Sequence, residues 1–163
     1  MRTDLSHSPS LTTQDACEPQ FPTASLSHGG QLFVWSLRQW TLSARAKRCI
    51  VRDMWPQYHA RRCADAIALV DEMISLLALA AFRPVNIRCP ASARVSRDEL
   101  ILLQCLQAIQ RGNDNEARNI LSPVISGRLS HSFCRVAQLY VESLTAAGMS
   151  VTGVSYLTAV GQE

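Results

Sequence analysis

The chain has 163 residues, of which 47% are hydrophobic and 18% are charged, and this length fits one compact domain. The ordinary apolar share excludes a wholly disordered chain, a collagen-like fibre and a disulfide-scaffold miniprotein. The net charge of +3 is too small to imply nucleic-acid binding by itself, and the longest strongly apolar stretch, residues 73–82, is far shorter than the ~20 residues that cross a bilayer.

Residues 1–25 are rich in Ser, Thr and Pro, and they are predicted to form a flexible tail because they can bury little apolar surface. They lack the positive start and the apolar run of a secretory signal. We therefore expect a cytoplasmic protein whose six cysteines are reduced thiols. The cysteines form no C-x-x-C pair, so the common zinc and redox spacings are absent.

Residues 31–55 contain neither Gly nor Pro and are predicted to form the first helix, with Ser27 placed to cap its N-terminus. Its apolar residues recur at the spacing of one helical face: Phe33, Leu37 and Trp40. Lys47 falls on the apolar side of this helix, which suggests a break near it. Pro56 is expected to end or kink the helix, because proline disfavours the helical conformation of the residue before it.

A second helix is predicted over about residues 57–82. Its main apolar stripe consists of Ile67, Val70, Met73, Ile74, Leu77 and Ala81. Beyond Glu72 this segment is apolar on nearly every side, a pattern typical of a helix that other helices surround. We therefore expect residues 67–82 to be the centre of the core.

Three further helices are predicted after a loop over residues 83–95. Ser96 and Glu99 have the spacing of a capping box, and the helix that they open ends near Gly112. Asn113 with Glu116 repeats this capping pattern for a short helix. Ser130 is predicted to cap the last helix, which ends at Gly148. Residues 149–163 are predicted to be a C-terminal tail or a short edge strand. The sequence thus predicts an all-α fold, a compact bundle of about five helices over residues 26–148.

Residues 96–125 resemble a single helical hairpin of the tetratricopeptide type. Leu103, Leu106 and Ala108 precede a turn at Gly112, and further apolar residues follow on the second helix. One such hairpin does not make a solenoid, which needs at least about three repeats. The same segment also resembles the start of a bacterial helix-turn-helix, S-x-x-E-x-x-L-L, but its turn glycine comes too late and Pro123 ends its second helix.

A basic segment is the first candidate for a functional surface. Seven cations and a single acid, Asp53, lie between residues 38 and 62. In one continuous helix, Arg38, Arg45, Arg48 and Arg52 would lie within about 80° of each other. Trp55 and Tyr58 flank Pro56 and are predicted to be exposed. The predicted partner-binding residues are therefore Arg38, Arg45, Arg48, Arg52, Trp55, Tyr58, Arg61 and Arg62. An amphipathic helix places its polar residues outward in any case, so the pattern also has an explanation without a partner.

Two pairs of residues offer a weaker hypothesis of a metal site. His59 and Cys63 are four residues apart, and His131 and Cys134 are three apart, so each pair shares a helical face. If the two pairs met, they would form a Cys₂His₂ set of the kind that zinc accepts. Buried free cysteine is also common as a small apolar residue, and neither pair has a neighbouring carboxylate evident in the sequence.

The sequence supplies little support for catalysis. Cys89 lies in an interhelical loop, but no histidine partner for it is identifiable. Asp98 and Glu99 are explained by helix capping and the helix dipole. There is no glycine-rich phosphate loop and no hydrolase or metalloprotease motif, so no cofactor is expected. The leading hypothesis is a non-enzymatic interaction or regulatory protein that binds a protein partner, because Trp and Arg are enriched where interfaces gain most of their energy. A nucleic-acid-binding protein and a small enzyme or metal-binding protein are the alternatives.

Overall fold

The computed structural model describes residues 21–152, and six helices form a bundle. Their bounds are α1 His28–Arg45, α2 Ile50–Ala60, α3 Ala66–Ala80, α4 Arg97–Gln110, α5 Asp114–Leu121 and α6 Arg128–Ala146. Two short strands, β1 Phe21–Pro22 and β2 Arg94–Val95, pair antiparallel with Phe21 opposite Val95. The all-α class that the sequence predicts is confirmed.

The local signals for helix ends are confirmed at most positions. Ser27 accepts a hydrogen bond from the backbone N–H of Gly30 at 3.3 Å, and Ser96 with Glu99 forms the complete capping box. Asn113 accepts from the N–H of Glu116 at the start of α5. Gly148 follows α6 with a φ of 75°, in the left-handed region that glycine enters at little cost. The expected cap at Ser130 is wrong, because α6 begins at Arg128 after Gly127.

The first half of the chain contains three helices where two were predicted. A break near Lys47 is confirmed: α1 ends at Arg45, and Lys47 has a φ of 52°, which no helix residue adopts. The boundary expected at Pro56 is wrong. Helix α2 continues through Pro56 to Ala60, and the chain breaks instead at Arg62, whose φ is 58°. The predicted helix over residues 57–82 is therefore divided between α2 and α3.

The centre of the core is α4 rather than the predicted residues 67–82. Helix α4 buries nine of its 14 residues and contacts α1, α5 and α6. Helix α3 contacts α1, α2 and α6 but buries six of its 15 residues, and Leu79 on its outer side is 77% exposed. The apolar character of residues 67–82 thus does not mean that other helices cover this segment on every side.

The two ends of the described chain are ordered against the bundle. Residues 21–25 form β1 and a turn of 3₁₀ helix, so the predicted flexible tail is wrong for these residues, and residues 1–20 lie outside the described part. Residues 149–152, which we call the C-terminal strap, contain no edge strand. Ser27 Oγ donates to the carbonyl of Ser150 at 2.6 Å and accepts from the N–H of Thr152 at 2.9 Å. Residues 153–163 are not among those described.

Candidate partner-binding surface

Arg38 belongs to the interior and not to the predicted basic surface. Its side chain is 3% exposed, and Nε and Nη2 donate to the two carboxylate oxygens of Glu99 at 2.8 and 2.9 Å. Nη1 and Nη2 also donate to the carbonyls of Ser92 and Arg94, each at 2.7 Å. The arginine therefore joins α1 to the loop before α4 and to the first turn of α4. The expectation of a continuous stripe from Arg38 to Arg52 is wrong, because Arg38 points inward.

A second buried carboxylate lies beside Glu99 at the start of α4. Asp98 accepts from Nη1 and Nη2 of Arg83 at 2.9 and 2.7 Å and from the N–H of Asn86 at 2.7 Å. Burial alone would raise the pKa of Asp98, but the hydrogen bonds and the positive charge of Arg83 lower it below its usual value. The charged form of Asp98 is therefore favoured in the folded protein.

Acid should remove the stabilisation that Asp98 supplies. A carboxyl group whose pKa is lower in the folded state stabilises the fold above its unfolded pKa, and this contribution disappears as the pH falls through the folded pKa. We expect urea unfolding to show a loss of stability as the pH falls below about 4. Asp98→Asn should be less stable than the wild type at pH 7 and should lose part of this pH dependence. An unchanged pH profile in Asp98→Asn would contradict the assignment.

Tyr58 is also buried, contrary to the expectation of an exposed Trp55–Tyr58 pair. The Ser36 hydroxyl donates to the carbonyl of Leu32 at 2.7 Å, so its oxygen accepts from Tyr58, 2.7 Å away. Because a hydroxyl has a single proton, the oxygen of Tyr58 accepts in turn from Tyr140 at 3.0 Å. Burial raises the pKa of Tyr58 to about 12. The neutral side chain of Tyr58 therefore joins α2 to α1 and to α6 by hydrogen bonds.

The outer side of α2 keeps an exposed aromatic residue between basic residues. Met54 and Tyr58 turn into the core, which leaves the opposite side in solvent. We define the α2 face as Val51, Arg52, Trp55, Pro56 and His59, all of which are exposed. Trp55 is 48% exposed, and its ring stacks on that of His59 with centroids 5.4 Å apart. An exposed tryptophan held in one orientation is a suitable anchor for a partner.

Several cations lie on α2 or near its ends in the chain, and most of them form no ion pair within the described residues. Arg45, Lys47 and Arg62 are exposed, as is Arg52, and none of the four has an ion pair within residues 21–152. Arg48 differs, because its Nε lies 3.1 Å from the carboxylate of Asp53. The face and its flanks therefore present uncompensated positive charge to solvent.

The side chain of Arg61 forms hydrogen bonds to a residue of α2. Its Nη1 donates to the backbone carbonyl and to the side-chain oxygen of Gln57 at 2.9 and 2.6 Å. Arg61 also lines a cavity between α1 and α2. Of the eight predicted partner-binding residues, six are exposed and lie on α2 or within five residues of its ends: Arg45, Arg48, Arg52, Trp55, Arg61 and Arg62. Arg38 and Tyr58 are buried, and Arg61 lies at the cavity.

The four candidate metal ligands do not converge. His59 is exposed and stacks on Trp55, whereas Cys63 is buried and lies 3.7 Å from the carbonyl of Tyr58. His131 is exposed near the carbonyl of Gly127, and Cys134 is buried. Across residues 21–152, no three His, Cys, Asp or Glu side chains are grouped so that they could hold a metal ion.

The described thiols lie in two kinds of environment. Cys49 and Cys89 are exposed, whereas Cys63, Cys105 and Cys134 are buried. Burial raises the pKa of Cys63, which favours the unreactive thiol. The hydrogen bond from Cys105 lowers the pKa of Cys134, yet Cys134 is only 7% exposed. The buried thiols therefore fit packing roles in the core.

Comparisons with known proteins add no family. No family model matches the chain, and no curated protein and no solved structure is similar to it. In the part of the chain that the structure describes, no helix is both long enough and apolar enough to cross a membrane. The function must therefore be argued from the surface itself.

Proposed function

We propose that the protein is a non-enzymatic interaction protein that binds an acidic protein partner through the α2 face. The observation that carries this proposal is the exposed Trp55, which stacks on His59 and has nearby in the chain exposed cations that form no ion pair within residues 21–152. Interfaces gain most of their energy from a few Trp, Tyr and Arg residues. Unpaired arginines around such an anchor favour carboxylates on the partner, because the planar guanidinium binds them with two hydrogen bonds.

The proposal places the protein in the cytoplasm, where free thiols persist. The exposed Cys49 and Cys89 are unpaired, in agreement with this compartment.

The acidic protein partner would bind the α2 face without any rearrangement of the core, because Met54 and Tyr58 hold α2 from its inner side. The surface is therefore prepared for binding before the partner arrives.

Replacement of Trp55 and of the neighbouring cation Arg52 should strongly weaken partner binding. We expect Trp55→Ala with Arg52→Glu to reduce recovery of the partner at least about tenfold, which corresponds to a loss of 1.4 kcal/mol or more. The measurement is recovery of bound protein from cytosol on immobilised full-length chain, followed by titration of the recovered protein. Circular dichroism should show the same helix content in the variant and the wild type.

A matched control lies on α6, where Leu139 is 53% exposed and Arg135 is also exposed. Leu139→Ala with Arg135→Glu makes the same kinds of change on a different surface, and we expect unchanged recovery. Equal recovery by both double variants, or equal loss in both, would remove the case for the α2 face.

Nucleic-acid binding is the second candidate, because bases stack on exposed aromatic rings and arginines neutralise phosphates. Fluorescence anisotropy with a labelled duplex and a labelled single strand tests it. A nucleic-acid-binding protein would bind at low salt and lose affinity steeply as salt rises, through counterion release. Absence of binding at low salt would exclude this candidate and leave the protein partner.

A further inference from the structure

A cavity of about 320 Å³ opens between α1, α2 and the loop before β2. Its volume is at the lower end of the range, about 300–1,000 Å³, that pockets for small molecules occupy. Gln31, Trp35 and Arg38 line it from α1, Gln57 and Arg61 line it from α2, and Pro90 lines it from the loop. The cavity lies on another side of α2 from the exposed Trp55.

The lining of this cavity is polar and basic. Arg38 and Arg61 contribute two guanidinium groups, and His28 adds an imidazole. Among the described residues that line the cavity, none is an Asp or a Glu. Glu99 balances the charge of Arg38 from the core side, whereas Arg61 donates only to neutral oxygens of Gln57. The charge of Arg61 therefore remains available to an anion in the cavity.

Two polar groups of the wall are incompletely bonded. Arg38 uses four of its five N–H groups, and the remaining N–H on Nη1 has no partner within residues 21–152. This guanidinium is 97% buried by its neighbours, since its side chain is 3% exposed. The hydroxyl of Thr23, another lining residue, is buried and has no hydrogen-bond partner in the described part of the chain. Buried polar groups without partners are rare in folded proteins, and here both belong to residues that line the same cavity.

The lining also has an apolar part, which contains one flat ring. Trp35 is half-buried, and Leu32 and Pro90 lie with it in the lining. A planar group in the ligand would stack against the indole, where aromatic pairs gain more than simple burial provides. The cavity therefore offers both an apolar flat surface and arginines.

We propose that this cavity binds a small organic anion, a planar ring that carries a carboxylate or a phosphate. The ring lies against Trp35, and the oxyanion accepts hydrogen bonds from Arg61 and from the remaining N–H of Arg38. Charge-assisted hydrogen bonds to guanidinium groups are the strong kind. This proposal does not depend on the proposed protein partner, since the experiment that tests it uses the protein and small anions alone.

Titration with benzoate and with phenyl phosphate, followed by NMR of the full-length chain, tests the proposal. Saturable shifts should appear at the signals of Gln31, Trp35 and Gln57 and be absent from Trp55. Benzamide, the neutral analogue of benzoate, should bind at least several-fold more weakly. The tighter of the two anions identifies whether the oxyanion is a carboxylate or a phosphate.

Arg61 and Arg62 provide a matched pair of variants for this titration. Both are exposed neighbours in the chain, but only Arg61 lines the cavity. We expect Arg61→Gln to weaken binding of the tighter anion about tenfold, as loss of a charge-assisted hydrogen bond implies, and Arg62→Gln to leave it unchanged. Absence of saturable shifts in the tens of millimolar, equal effects of the two variants, or equal binding of benzamide would each overturn the proposal.

Discussion

Arg38→Met is expected to lower the free energy of unfolding by about 3–5 kcal/mol, because it leaves the buried carboxylate of Glu99 without its counter-charge. Glu99 is fully buried, and after the substitution it would keep only the backbone N–H groups of Ser96 and Arg88. Urea unfolding at pH 7, followed by circular dichroism, measures the change.

Two controls separate the ion pair from a general effect of losing an arginine. Arg45→Met removes a cation that is exposed at the end of the same helix, and such surface changes usually stay within about 0.5 kcal/mol. Arg38→Met with Glu99→Leu removes both charges and should recover much of the lost stability, since apolar replacements of buried ion pairs are often tolerated. If Arg38→Met matched Arg45→Met in stability, the ion pair would not have the structural role assigned here.

Leu106→Ala is expected to destabilise the fold by about 2–5 kcal/mol, the usual cost of truncating a large apolar side chain in a core. Leu106 is fully buried in α4, the helix at the centre of the bundle. The lost contacts and the cavity that the truncation leaves both contribute to this cost. Thermal and urea unfolding provide the measurement.

Leu79→Ala is the corresponding change on α3, and we expect it to cost far less. Leu79 is 77% exposed, so its truncation removes little buried surface. The comparison tests whether residues 67–82 are covered by other helices on every side, as the sequence alone favoured. A loss for Leu79→Ala as large as that for Leu106→Ala would show that the outer side of α3 is also covered.

The features predicted correctly depend on residues close together in the chain. A capping box joins residues three positions apart, as Ser96 and Glu99 show, and a left-handed turn such as that at Gly148 is set by one residue. Helical periodicity likewise reports a face within a single helix. These signals sufficed for the all-α class and for most helix starts in the second half of the chain.

The errors concern contacts between distant parts of the chain. Arg38 and Glu99 are separated by 61 positions, and the arginine alone carries no sign that it will be buried. Tyr58 is drawn inward by Ser36 and Tyr140, two residues on other helices. The break at Arg62 occurs at an ordinary basic residue in a left-handed conformation, which the sequence pattern does not mark, whereas the break near Lys47 is indicated by the position of Lys47 on the apolar side of the predicted helix.

Only part of the candidate surface was therefore accessible to prediction. The concentration of cations between residues 38 and 62 is visible in the sequence, and the exposure of Trp55 agrees with it. The sequence does not indicate the cavity beside Trp35, because the residues that line it come from α1, α2 and the loop before β2. Its basic character results from helix packing.

The C-terminal strap places the last described residues next to the start of α1. Since one hydroxyl, that of Ser27, binds both Ser150 and Thr152, the exit of the chain lies beside the entry to its first helix. Adjacent ends of this kind make a domain tolerant of circular permutation. The packing of these helices therefore does not depend on their order along the backbone. New chain ends at the exposed turn of Gly112 would leave the packed helices intact.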